Sequence, residues 1–240
     1  MRHALCLWAT LAASPGLADS AEDAFVEANL LGVFYHELGH ALIDVMRLPV
    51  FGQEEDAADT ASILLIDHLY DPDAAVQLAY DVSDGFWAEA LANQADPSPY
   101  WGVHGPDEQR FYNTVCLFYG GDPDGRDAFA ADMGLPEERA DDCPEEYDLA
   151  LDSWGAVFDD LEAEGLPLTF KAEVPRSLTT VLIKAEIAAL NDDFAVPSAI
   201  EVRTEYCGEA NAFYESGDQS ITICEEFESH LRMLYAVLEQ

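Results

Sequence analysis

The run His36-Glu37-Leu38-Gly39-His40 sets two imidazoles four residues apart, with a carboxylate between them. On a helix such residues share one face, so both rings can reach a single cation. Glu37 stands beside them, where a carboxylate can take a proton from a cation-activated water. The chemistry this predicts is hydrolysis. The plainer alternative is two exposed histidines on a surface helix. The flanks Phe34-Tyr35 and Ala41-Leu42-Ile43 argue against it, because they predict a buried helix, and buried polar groups need partners. Gly39 leaves room for close approach of another element.

A catalytic zinc ion commonly takes three protein ligands and keeps one position for water. The acidic run Glu54-Glu55-Asp56-Ala57-Ala58-Asp59 can supply the third ligand. Glu55 and Asp59 are four apart and share a helix face. Glu55 is the expected ligand. Asp59 is expected to accept a hydrogen bond from a ligand histidine and fix its ring. The turn signals Pro49 and Gly52 let the two helices run antiparallel, returning this face to the histidines. Glu54 and Asp56 are expected to point into solvent.

His36 to His40 followed by Glu55 to Asp59 resembles the gluzincin pattern, HExxH and then ExxxD. The longer stretches Phe34–Leu42 and Leu48–Asp56 resemble a bacterial family of metallopeptidase-like proteins without a settled substrate. Further matches are His104 with Gln109–Asn113 and Cys116, Glu138-Arg139 with Cys143, and Cys207–Tyr214 with Ile221–Cys224. The resemblance covers most of the chain and implies a zincin-like fold with one zinc ion and a peptide or protein substrate.

Asn211-Ala212-Phe213-Tyr214 also resembles the edge strand of thermolysin-like enzymes, which pairs with an extended peptide by β-augmentation. In gluzincins that strand precedes the zinc helix, whereas here it follows by about 170 residues. Either it joins the site from the C-terminal end, as in a permuted chain, or the match is accidental. The flanking cysteines, which would staple that hairpin, favour the first reading. His104, in a Gly-rich loop, is the candidate donor for the oxyanion of a tetrahedral intermediate, with Tyr112 or Tyr214 as alternatives. His68 and His230 lie on expected helices without matching partners and read as structural.

The elements that must position these groups are mostly helical. Leu31, Phe34, Leu38, Leu42 and Val45 recur at helical spacing within Glu22–Arg47. A second helix starts near Gln53. Asp71-Pro72 reads as a cap and first position of a third, running to about Ala92. After a loop at 96–106, helices are expected over 108–119, 126–132, 136–140 and 144–164. Another is capped by Ser177 and striped by Leu178, Val181, Leu182, Ala185 and Ala189. Alternation at Ile200, Val202, Thr204 and Tyr206 predicts a strand, and Asn211–Tyr214 and Ser220–Cys224 two more around Ser216-Gly217-Asp218. A last helix begins near Glu226. The expected fold class is α+β: a mostly helical zincin-like domain over 19–240, with a small antiparallel β element near the C-terminus.

Residues 1–18 read as a secretory signal peptide, with Arg2, the apolar stretch Ala4–Ala13 and the small residues Gly16 to Ala18. Its loss removes Cys6 and leaves Cys116, Cys143, Cys207 and Cys224. An even count in an exported chain predicts two disulfides. Of three connectivities, nearest-neighbour pairing is expected, each bond worth about 3 kcal/mol if unstrained. No CxxC spacing points to a cysteine zinc site.

The chain has 48 acidic and 10 basic residues, a net charge of −38. Nucleic acid and anionic membrane surfaces should repel it. No apolar run after the N-terminus is long enough for a membrane anchor. The reading is an exported zinc metallopeptidase, periplasmic or secreted. Its rivals are a non-catalytic zinc-binding envelope protein, structural or partner-binding, and a zinc hydrolase of non-peptide amides.

Overall fold

The computed structural model describes residues 20–95, 101–161 and 165–240. The signal-peptide reading, part of the loop at 96–106 and the end of the helix expected to reach 164 lie outside them.

Helix α1 (Ala21–Met46) is the hub of the molecule. Ser20 caps it by accepting from the Asp23 backbone, and Glu22 and Asp23 complement the helix dipole. Arg47 ends it in the left-handed region at φ 55°, so that Leu48 N–H donates back to Ile43. Its apolar residues do not form one stripe. Phe25, Leu30, Phe34, Tyr35, Leu38 and Leu42 are buried on several sides, because α1 touches α2, α3, α8, α9 and two strands. A helix buried all round is what its continuous apolar flanks require.

Helix α2 (Glu54–Leu69) packs on α1 through small residues. A Cβ at Gly39 would sit 3.1 Å from Ala58 Cα and 3.2 Å from Ala61 Cβ. Contacts pair His40 with Glu55, His36 with Asp59 and Gly32 with Ser62, so the two helices run antiparallel as expected. Helix α3 (Pro72–Ala92) starts where Asp71 caps Ala74 N–H and Pro72 takes the first turn.

Helices α4 (Asp107–Gly120), α5 (Asp127–Asp132), α6 (Glu137–Ala140) and α7 (Cys143–Leu161) follow. A disulfide joins Cys116 on α4 to Cys143 at the start of α7, with Cα atoms 5.2 Å apart. A second joins Cys207 to Cys224. Both are the expected nearest-neighbour pairs.

The sheet departs from expectation in size and direction. It has four described strands, β1 (Thr169–Ala172), β2 (Glu201–Glu205), β3 (Ala212–Glu215) and β4 (Ser220–Cys224), in the order β1-β2-β4-β3. Only β3 and β4 pair antiparallel; β1–β2 and β2–β4 are parallel. The first parallel step is made by the crossover helix α8 (Leu178–Asp193). Strand β1 was not foreseen: its four half-exposed residues carry no alternation long enough to read. Strand β4 is central and buried along its whole length. Strand β3 lies at the sheet edge, against α1. Helix α9 (Glu226–Leu238) closes the fold. No described helix is long and apolar enough to cross a membrane.

On α8 the expected stripe is rotated. Val181 and Ala185 are exposed, while Ile183, Ile187 and Leu190 are buried with Thr180. Polar residues on this face are drawn inward by partners. Glu186 accepts from Tyr35 Oη at 2.5 Å and Tyr70 Oη at 3.0 Å, and Thr180 meets Thr204 and Glu225.

Candidate metal centre

The antiparallel contact of α1 and α2 brings His36, His40 and Glu55 together. His36 Nε2 lies 3.2 Å from His40 Nε2 and 3.2 Å from Glu55 Oε2, and His40 Nε2 is 3.3 Å from that same oxygen. These spacings fit the donor set of one tetrahedral ion, whose ligand bonds of about 2.0–2.1 Å set donors about 3.3 Å apart. Among the described residues this is the one group of three or more His, Cys, Asp or Glu with metal-ligand geometry.

The outer nitrogens decide the tautomers. His36 Nδ1 lies 2.7 Å from Asp59 Oδ1, and His40 Nδ1 lies 2.8 Å from Glu54 Oε1. A carboxylate has no proton to give, so each ring donates from Nδ1. Both Nε2 lone pairs then face each other and a carboxylate oxygen. Three acceptors converging on one point call for positive charge between them. A proton on His36 can answer the same call. Burial opposes charging of His36, but hydrogen bonds to Asp59 and Glu55 outweigh it and raise its pKa to about 9. Contacts to His104, His36 and His40 hold the Glu55 carboxyl far below the usual range.

Asp59 is anchored from its other side. Arg110 on α4 donates to it twice, from Nε at 2.8 Å and from a terminal nitrogen at 2.7 Å. Burial works against the Asp59 charge, and the Arg110 and His36 hydrogen bonds outweigh it, so its pKa falls. The Arg110 guanidinium also rests on the Phe86 ring, 4.3 Å from its centroid. Glu54 corrects an expectation: it is not simply solvated but gives His40 the support that Asp59 gives His36. Asp56 is exposed, as expected.

Glu37 is 7% exposed and lines the same cleft. Burial raises its pKa, while the two histidines and the Tyr214 backbone pull it down. His104 faces the centre: its Nε2 is 2.8 Å from Glu55 Oε2, and its side chain is half exposed. The two other candidate donors fare less well. Tyr112 packs edge-on against Phe111 and does not line the cleft. Tyr214 lines it, but its hydroxyl donates to Asp44 at 2.7 Å, which with burial raises its pKa.

The cleft measures about 1020 Å³. Along α1 it is lined by Asn29, Gly32, Val33, His36, Glu37, His40, Ile43, Asp44 and Arg47. From Asn29 to Arg47 that stripe spans about 27 Å of helix. Asn211, Ala212, Phe213 and Tyr214, all on or beside the edge strand, line it as well. The strand therefore reaches the cleft from the C-terminal end of the chain. His68 stacks on Phe194 and meets Phe158 at a tilt. His230, expected without a partner, meets Glu89 at 2.5 Å and lines the cleft.

Sequence reasoning gave no role to Glu54, Arg110, Glu89 or Asp44. Arg110 had a usable signal. It is one of only 10 basic residues in a strongly acidic chain, two residues after the expected start of a helix.

Searches of curated proteins and of solved structures returned no match. The family model DUF4344, described as "Putative metallopeptidase", matches residues 11–158 and 176–240. That match covers most of the sequence and both halves of the cleft, and the chain belongs to this family.

Proposed function

We propose that this protein is a zinc-dependent metallopeptidase that hydrolyses peptide bonds in extended segments. The observation that carries the reading is the convergence of His36 Nε2, His40 Nε2 and Glu55 Oε2 on one point, beside a buried carboxylate that is not a ligand. A zinc ion held there supplies Lewis-acid polarisation and makes a water more acidic. Two histidines and one carboxylate suit zinc over harder or softer cations.

The residues of the chain do the rest. Glu37 takes a proton from a water in the cleft and delivers it to the leaving nitrogen. Burial makes Glu37 a stronger base than a solvated glutamate, and it stays near the two imidazoles that keep it ionised. Asp59 and Glu54 hold the histidine rings in one tautomer and one orientation. His104 is the donor for the developing oxyanion, on the strength of its place beside Glu55. Asn211 to Tyr214 present an edge backbone along which a peptide can add as a further strand. A stripe of about 27 Å accommodates about eight extended residues, which favours a peptide over a small amide.

Two disulfides support an oxidising compartment, and with the leader-like N-terminus we read residues 19–240 as one exported domain. The non-catalytic alternative needs a fourth protein ligand. His104 contacts Glu55 but is not part of the converging group. Metal analysis of the purified protein with a chelator-sensitive peptidase assay on unfolded protein tests the proposal. Stoichiometric zinc with cleavage that chelator stops and zinc restores is the expected result. Zinc without cleavage of any peptide or unfolded protein would transfer the case to the non-catalytic reading.

A further inference from the structure

The cleft does not end at the metal centre. Beyond it runs a recess between α3 and α9, walled by Val82, Phe86, Phe227 and Leu231. Its free polar atoms are acceptors. Asn29 is 8% exposed, and its amide nitrogen is spent on the Phe25 and Asp81 carbonyls. Its Oδ1 lies over Gly85, where a Cβ would come within 1.9 Å, and makes no hydrogen bond. One helical turn further along α3, about 6 Å, Glu89 enters the same space. Asn93 donates to Glu89 at 3.5 Å and to Asp107 at 3.3 Å, holding two carboxylates at one amide. The nearby cations are already engaged: Arg110 by Asp59 and His230 by Glu89.

We infer that this recess is a side-chain pocket that selects a basic residue, lysine or arginine, of the bound peptide. The inference rests on the peptide-binding reading of the cleft. The apolar walls fit the methylene stem of such a side chain, and its charged head carries donors for Asn29 Oδ1, Glu89 and Asp107. An acidic side chain would meet acceptors only and would have to displace Glu89 from His230. An apolar side chain would bring no donor to Asn29 Oδ1 or Asp107 in place of the water it displaces. Burial and the neighbouring Glu89 raise the pKa of Asp107, against the pull of Asn93 and Arg110. The net charge of −38 adds long-range attraction for basic peptides.

The test reads binding separately from turnover. Zinc-loaded full-length Glu37→Gln is titrated with peptides identical except for one residue, set to Lys, Arg, Leu or Glu at each position in turn. At one position Lys and Arg should bind at least about tenfold tighter than Leu and Glu. Glu89→Gln should cut that preference to under about threefold. Asp107→Lys, at the half-exposed rim, should abolish it and favour Glu. Equal or tighter binding of Leu or Glu at every position, no binding of any peptide, or a preference that survives both substitutions overturns the pocket. Wild-type turnover of the same peptides keeps the two proposals apart. Cleavage without a basic preference removes the pocket and leaves the peptidase; a basic preference in binding without cleavage does the reverse.

Discussion

Asp59 stands between His36 and Arg110, with one oxygen 2.7 Å from the histidine Nδ1 and both oxygens bonded to the guanidinium. It therefore fixes the His36 ring and neutralises a buried cation at once. Asp59→Asn should weaken zinc affinity by about 10–100-fold. Asp59→Ala should also destabilise the fold by about 3–5 kcal/mol, because Arg110 is left buried without a partner. Chelator competition reads the first effect and denaturant unfolding the second. Unchanged zinc affinity in both variants would contradict the positioning role.

Glu37→Gln is expected to retain one zinc per chain and lose turnover by at least about 10²–10⁴-fold. His36→Ala and Glu55→Ala should lose the metal itself. Elemental analysis beside a peptidase assay separates the two classes. Loss of zinc from the Glu37 variant would count against its assignment as base rather than ligand.

Gly39 is where α1 and α2 meet most closely. A leucine there would drive its side chain into Ala58 and Ala61, costing about 1–3 kcal/mol by overpacking. It would also push Glu55 away from the histidines. Lower thermal stability together with weaker zinc binding is the expected pair of changes. Full zinc affinity in a destabilised variant would show that the α1–α2 spacing does not control the site.

The Cys207–Cys224 bond closes the segment that contains β3. Replacing both cysteines with serine should cost about 3 kcal/mol on the loop-entropy model. Limited proteolysis within 207–224 should be faster, and peptide affinity should fall before zinc affinity does. Equal losses of both would mean that the hairpin supports the whole centre and not only the substrate wall.

Asp81 gives a pH signature away from the metal. Burial raises its pKa to about 6 from the ordinary 3.8, with Asp84 adding to the rise. The folded state thus holds this proton more tightly than the unfolded chain. Stability from this group is lost as pH rises from about 4 to about 6, and above that the buried charge is a constant penalty. Asp81→Asn should raise the melting temperature at pH 7–8 and leave it nearly unchanged near pH 3.5. A gain of equal size at both pH values would assign the effect to something other than ionisation.

The helical skeleton was legible because its signals are local. Asp71-Pro72 and Ser177 mark helix starts, and the turn at Pro49–Gly52 sends α2 back along α1. The meeting of His36, His40 and Glu55 was legible for the same reason, since four-residue spacing on two adjacent helices fixes their geometry. What the sequence hid depends on distant partners. Glu186 points inward on α8 because Tyr35 and Tyr70 are there to donate to it, and the rotated stripe follows. Glu54 looked solvated because nothing local pairs with it; its partner, His40, is set by the packing of α1 on α2. Parallel pairing of β2 with β4 is likewise a product of which strand β3 chooses, and no dipeptide encodes that.

The two walls of the cleft are made at opposite times. Translation delivers α1 and α2 early, while β3, β4 and the bond from Cys207 to Cys224 come with the final quarter of the polypeptide. A half-made chain has His36, His40 and Glu55 but lacks the edge strand proposed to hold a peptide beside them. Under the proposed activity, such a chain could bind the ion before it could hold a peptide.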